Sequence, residues 1–205
     1  MDSKAVSYTH LAKAREYYQR LLTTNPKDVG ATLELGRVAI KSGDGQGSLD
    51  PLSRAYTLAI QMDNQEQEAA SLHFMAVAYW MLNKPEESLR NEEQALAIWR
   101  RIGQKRGLAL SLNEMATVQA SLGKPKDALA NFQEALQIRR EIGDKRGLGD
   151  TLIDLGNFYN DGGDHDQALK MYKEALQLQR DLGNESLQAI CLNNIGTAYS
   201  EKRCV

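Results

Sequence analysis

The chain has little of what marks most secreted, membrane or metal-binding proteins. Its two cysteines, Cys191 and Cys204, in 205 residues are too few for a disulfide framework and lack metal-ligand spacing. No apolar run approaches the ~18 residues that a membrane span needs. The N-terminus, MDSKAVSYTHLAKAREYYQRLL, has no apolar core that would serve as a signal peptide. A formal net charge of −2 gives no reason to expect nucleic acid or an anionic membrane as partner. Prolines number only four and aromatics make up 6%. Gly43, Gly45 and Gly47 lack the Lys-Ser/Thr and the preceding strand of a phosphate-binding loop. No catalytic signature is visible, no enzyme and no cofactor are expected, and a reducing cytoplasm is the simplest home.

What is present is repetition. IGQKRGLALSL near residue 102 returns as IGDKRGLGDTL near residue 142. Laid out in rows of forty, residues 67–106, 107–146 and 147–186 align without a gap. A weaker copy occupies 27–66, residues 8–26 resemble the closing half of a unit, and 187–205 open another. A fixed period of this size signals stacked supersecondary units.

Each unit holds two helical patterns. Leu108, Leu112, Met115 and Val118 or Gln119 make one apolar face, and Ala128, Leu129, Phe132, Ala135, Leu136 and Ile138 make the other, at three- and four-residue steps. Between them Gly123 can leave one helix and Pro125 begin the next. Arg139, Arg140 and then Gly143 suit a helix C-terminus, so the repeated phrase reads first as a helix stop; Gly103 and Gly183 hold the same station. Small residues recur at Gly36, Ala76, Ala116, Gly156 and Gly196, where two helix axes can approach closely. One pair cannot bury both faces, so pairs must stack into an all-α solenoid of antiparallel helix pairs.

Leu152, Leu155, Gly156 and Tyr159 in the first helix (helix A), with Ala168, Tyr172 and Ala175 in the second (helix B), resemble the tetratricopeptide repeat. The forty-residue period is similar to the long-helix branch that includes Pins-type scaffolds and kinesin light chains. The resemblance covers about residues 8–199 and implies a single right-handed superhelix over 1–205. It also implies that helix A lines a concave groove. Carried over residue by residue, the groove positions are Arg37, Lys41, His73, Val77, Trp80, Asn113, Thr117, Asp150, Asn157, Asn160, Asp161, Asn193, Thr197 and Glu201. The asparagines suit an extended peptide because an amide both donates and accepts. The two-carboxylate clamp of chaperone-tail binders is absent, since the frame around Val77, Glu114, Asp150 and Asp154 is acidic.

Several positions depart from the pattern. Glu92 stands where an aromatic belongs and Gln119 where a tyrosine does. Glu86-Glu87 and Glu92-Glu93 read as the solvated outer face of helix B. In repeat 27–66, Asp50 is placed to cap a helix beginning at Pro51, which would shorten helix B by about a turn. His10, His73 and His165 fall in different repeats, so they share no metal.

Two functions follow. The first is a scaffold that binds a peptide or helical segment of a partner protein in the groove. The second is a structural or sensory segment of a larger signalling protein, because both ends look like cuts through a longer array. The last helix A lacks its helix B, which leaves one side of Ile195, Ala198 and Tyr199 open to self-association. Cys204 beside it could then oxidise between chains.

Overall fold

The computed structural model describes residues 3–203, with side chains placed from residue 9 onward. Cys204 lies outside the described residues. The described residues form ten α-helices and no strand: α1 (Ser3–Thr24), α2 (Val29–Lys41), α3 (Gly45–Gln61), α4 (Gln65–Met81), α5 (Pro85–Ile102), α6 (Lys105–Ser121), α7 (Pro125–Glu141), α8 (Lys145–Asp161), α9 (His165–Asp181) and α10 (Glu185–Lys202). Even-numbered helices are the A helices of the repeat, and odd-numbered ones from α3 are the B helices.

The turns explain the regularity. A residue with positive φ stands at 43, 63, 83, 103, 123, 143, 163 and 183, once in every twenty. Six are glycines. The other two, Asp63 (φ 52°) and Asn83 (φ 56°), belong to the residue types whose short polar side chain best tolerates the left-handed region. The following residue sends its N–H back five positions, as from Asp144 to the Arg139 carbonyl at 2.9 Å, which closes a Schellman turn. That same residue then caps the next helix. Asp44, Asn64, Asp144, Asp164 and Asn184 accept from the N–H three residues on. Lys84 and Lys124 cannot accept, and there Pro85 and Pro125 open the helix with no N–H to satisfy.

The same turn logic overturns the expected start at Pro51. Helix α3 begins at Gly45, capped by Asp44, whose Oδ1 accepts from Gly47 N at 2.7 Å, and Pro51 lies inside it. The Gly43-Asp44 signal stands in register with the other turns and decides the helix start. The proline is tolerated near the N-terminal end, at the cost of one backbone bond.

The chain forms two compact units, Met1–Gly107 and Leu108–Val205. In the first, α1 to α5 pack each on the next, and α2 also touches α4. Its core holds Val29, Leu33, Leu52, Leu58 and Ala78. In the second, α7 to α10 pack in sequence and α8 touches α10, around Ala116, Phe132, Leu136, Leu152 and Leu176. Full burial of such side chains stabilises by roughly 1.5–3 kcal/mol each. The small-residue station works as expected: a Cβ on Gly36 would fall 2.5 Å from Leu52 Cγ, and one on Gly156 2.5 Å from Tyr172 Cε1.

Candidate partner-binding surface

Comparison of burial along the A helices separates two neighbouring stations. Leu33, His73, Asn113 and Ile153 occupy one station, and each is buried. The next residue on, with those four, seven and eleven positions from the start of the series, forms a stripe that is open or half-open. It runs Gly30, Glu34, Arg37 and Lys41 on α2, then Ala70, Phe74, Val77 and Met81 on α4. The second unit has its own stripe at the same stations: Leu110, Glu114, Thr117 and Ser121 on α6, Asp150, Asp154, Asn157 and Asp161 on α8, and Ile190, Asn194, Thr197 and Glu201 on α10. Spacings of three and four keep each set on one helix face.

This separation changes the candidate list. His73 is 3% exposed and its Nδ1 lies 2.7 Å from Oε1 of Glu92, which is 0% exposed. Neither residue faces solvent, so the reading of Glu92 as part of a solvated face is corrected, while Glu93 is exposed. Glu92 holds the station of Phe132 and Tyr172, which faces the helix A of its own repeat. A carboxylate there must find a partner, because an unpaired buried polar group is costly. Asn113 is also buried, at 8%. Asn193 stands at the same station and is exposed, since no B helix covers α10 among the described residues.

In the first unit the stripe is charged on α2 and apolar on α4. Arg37 bonds Glu34 and lies 4.9 Å from the Phe74 ring centroid, so its charge is locally compensated. Lys41 and Met81 are exposed; Val77 and Trp80 are half-buried.

In the second unit the asparagines tie helices together. Asn113 Nδ2 donates to Asp154 Oδ2 at 2.8 Å, and Asn194 Nδ2 donates to Asn157 Oδ1 at 3.1 Å. Asn160 Nδ2 donates to Glu201 Oε2 at 2.6 Å, while its Oδ1 lies 3.0 Å from His165 Nδ1. The Tyr172 hydroxyl donates to Asn157 Oδ1 at 2.8 Å. Burial, with the nearby carboxylates of Asp161 and Glu201, pushes that hydroxyl up to about 12. Thr117 bonds its own helix, Oγ1 to the Asn113 carbonyl at 3.2 Å. Of the asparagines assigned to a peptide from sequence, Asn113, Asn157 and Asn160 are thus already engaged within the fold. The surface they leave is acidic: Glu114, Asp150, Asp154, Asp161 and Glu201 share the stripe with no lysine or arginine. Leu110 and Ile190 flank Asp150 at 40% and 45% exposure. Burial raises the Asp154 carboxyl above the ordinary aspartate range, against the hydrogen bond from Asn113 and the Arg139 charge.

Arg139 stands in the last turn of α7, as the sequence implies, but its burial was not read there. It is 3% exposed. It bonds the Gly147 carbonyl and lies in the field of Asp144, Asp150 and Asp154, while burial lowers its pKa. The signal was the second glycine of the repeated phrase. A Cβ on Gly147 would fall 3.0 Å from the Arg139 guanidinium, and one on Gly107 2.6 Å from Trp99 Cδ2. That glycine lets the end of one B helix lie across the next A helix.

The expected open side of α10 is also corrected. Ala198 is buried with Ala168, Leu169 and Tyr172, and Ile195 packs on the same cluster, because both face α9. The uncovered positions are Leu192, 52% exposed, and Gly196, where an added Cβ would meet nothing within 4 Å. Tyr199 is exposed as expected. Among the described residues no group of three or more His, Cys, Asp or Glu converges on a metal position. No described helix is long and apolar enough to cross a membrane.

Comparison with known proteins places this geometry. BtubC (BKLC) from P. vanneervenii superimposes with a TM-score of 0.75 at 19% identity, over 98% of this chain and 85% of that one. A putative kinesin light chain with nearly identical repeats from Podosopora anserina gives 0.67 at 17% identity, over 87% and 88%. A signal-transduction ATPase (STAND) protein with a tetratricopeptide repeat sensor from Pyrococcus horikoshii gives 0.72 at 19%, over 99% of this chain and 33% of that one. At such identities these likenesses show the fold alone. No curated protein sequence matches. The tetratricopeptide repeat family model matches residues 28–101, 87–141, 107–181 and 147–203, in step with the helix pairs and turns described above, and the chain belongs to the tetratricopeptide repeat family.

Proposed function

We propose that this chain, a protein-interaction scaffold in the general manner of its family, binds a segment of a partner protein along the open stripe of the A helices of its second unit. The segment carries basic and aliphatic side chains. One observation carries the reading: five carboxylates and no cation stand on that stripe, with Asp150, Asp161 and Glu201 exposed beside the exposed Leu110 and Ile190. Complementary fields steer encounter and fix register, while the aliphatic pair supplies apolar area. Each exposed charge contributes only about 0.2–1 kcal/mol, so selectivity comes from several together. Arg37, His73 and Asn113 do not supply free contacts here, since each is bonded or buried within the fold.

The test is fluorescence anisotropy with labelled peptides of alternating lysine and leucine, against glutamate-leucine controls. Binding of the basic peptides, weakened by Asp150→Asn/Asp161→Asn, supports the reading. Equal binding of both peptides, or indifference to the double substitution, shows that the stripe is not the surface used.

A further inference from the structure

Opposite in chemistry to that stripe, a cleft of about 410 Å³ lies between α9 and α10, lined by Asp166, Leu169, Lys170, Lys173, Tyr199 and Lys202. Asp166, Leu169, Lys170 and Lys173 fall at three- and four-residue steps, hence on one face of α9. Leu169 is buried and forms the apolar floor. Lys202 bonds Asp166. Lys173 donates to the Tyr199 hydroxyl at 3.0 Å, and its ammonium lies 5.4 Å from the ring centroid. The phenol orients that lysine without neutralising it. Three ammonium groups therefore face one carboxylate, and that carboxylate is engaged by Lys202 alone.

The fold does not impose this charge. One repeat earlier, α7 and α8 hold Ala130, Gln133 and Gly162 where Lys170, Lys173 and Lys202 stand, and Lys126 where Asp166 stands. The matching stations there carry a net charge of +1, from Lys126, against +2 in the cleft between α9 and α10. Charges gathered over an apolar floor and beside an aromatic ring are suited to an oxyanion carried on an organic group.

We propose that this cleft is a second docking site, independent of the acidic stripe, for a carboxylate or phosphoryl side chain on an acidic segment of a partner polypeptide. Lys170 and Lys173 supply the charge, Lys202 reaches the same anion by exchanging Asp166 for it, and Leu169 with the Tyr199 ring holds the aliphatic or aromatic stem. The experiment titrates the full chain into a fluorescein-labelled poly-glutamate peptide, a phosphoserine peptide and, by competition, inorganic phosphate alone. Binding of either peptide is expected to fall by about tenfold in Lys170→Glu/Lys173→Glu and to weaken with added salt. Lys126→Glu, at the matching place on α7, should leave it unchanged, with melting curves confirming that all variants fold. No binding of either peptide to the parent protein, or equal loss in Lys126→Glu, overturns the site. Inorganic phosphate competing as well as the peptides are bound overturns the polypeptide as its occupant. The basic peptides that test the acidic stripe serve as a separate arm, so failure of one surface leaves the other standing.

Discussion

Repeats 67–106 and 147–186 share a backbone register but fill it with different chemistry. Where the later repeat buries Ile153 and Tyr172, the earlier one buries His73 and Glu92 in a 2.7 Å hydrogen bond. The second oxygen of Glu92, Oε2, is buried with no partner among the described residues. The difference teaches that the helix crossing demands filled volume, not one residue type, and that it accepts a polar pair satisfied through one carboxylate oxygen. Polarity at one station is tolerated because polarity at the other answers it.

The largest effects should come from breaking that match. Glu92→Ala leaves His73 buried without its carboxylate, and should cost about 3–5 kcal/mol by denaturant unfolding. His73→Ile/Glu92→Phe converts the earlier repeat to the chemistry of the later ones. It should be neutral or stabilising by about 1–4 kcal/mol. A double variant as unstable as Glu92→Ala would mean that the pair has a packing role which apolar residues cannot fill.

The small-residue station offers a second contrast. Gly156→Leu drives a side chain into Tyr172 and should destabilise by about 1–3 kcal/mol. At Gly196 an added Cβ would meet nothing within 4 Å. Gly196→Leu should therefore be neutral, or stabilising by up to about 1 kcal/mol through helix propensity. Equal melting temperatures for the two variants would show that the crossing is not what selects glycine at residue 156.

A smaller effect concerns Asp154, whose carboxyl is raised by burial. Its ionised form is disfavoured in the fold, so ionisation destabilises above the folded pKa, and the penalty vanishes below the ordinary value of 3.8. Asp154→Asn should melt slightly above the parent at neutral pH, with the gap closing as pH falls through the acidic range. A gap that stays constant across that range would remove ionisation as its cause. Smallest of all, Lys126→Ala, exposed on α7, should shift stability by no more than about 0.5 kcal/mol in the same melts.

Much of the architecture was legible because it is local. The forty-residue period, the apolar faces and the stations of Gly103, Gly143 and Gly183 are consequences of backbone conformation along a few consecutive residues. The start of α3 was misread because Pro51 drew attention from Gly43-Asp44, whose positive-φ turn recurs at the seven later boundaries. The acidic character of Asp150 and Asp161 was also readable, since an exposed charge keeps its nature wherever the chain places it.

What the sequence determined by itself was the order of helices and turns, the places where two helices cross, and the sign of charge along each face. Tertiary structure decided which of two adjacent stations on helix A is open. His73 and Asn113 differ from Phe74 and Glu114 by one residue, about 100° around a helix of 3.6 residues per turn. Periodicity shows an apolar face but does not mark where a neighbouring helix's cover ends, and polar residues at that edge read as solvated. Only the packing of α5 on α4, and the reach of Asn113 on α6 to Asp154 on α8, turns Glu92, His73 and Asn113 inward. A buried polar side chain is fixed by partners distant in sequence, and no local pattern records them.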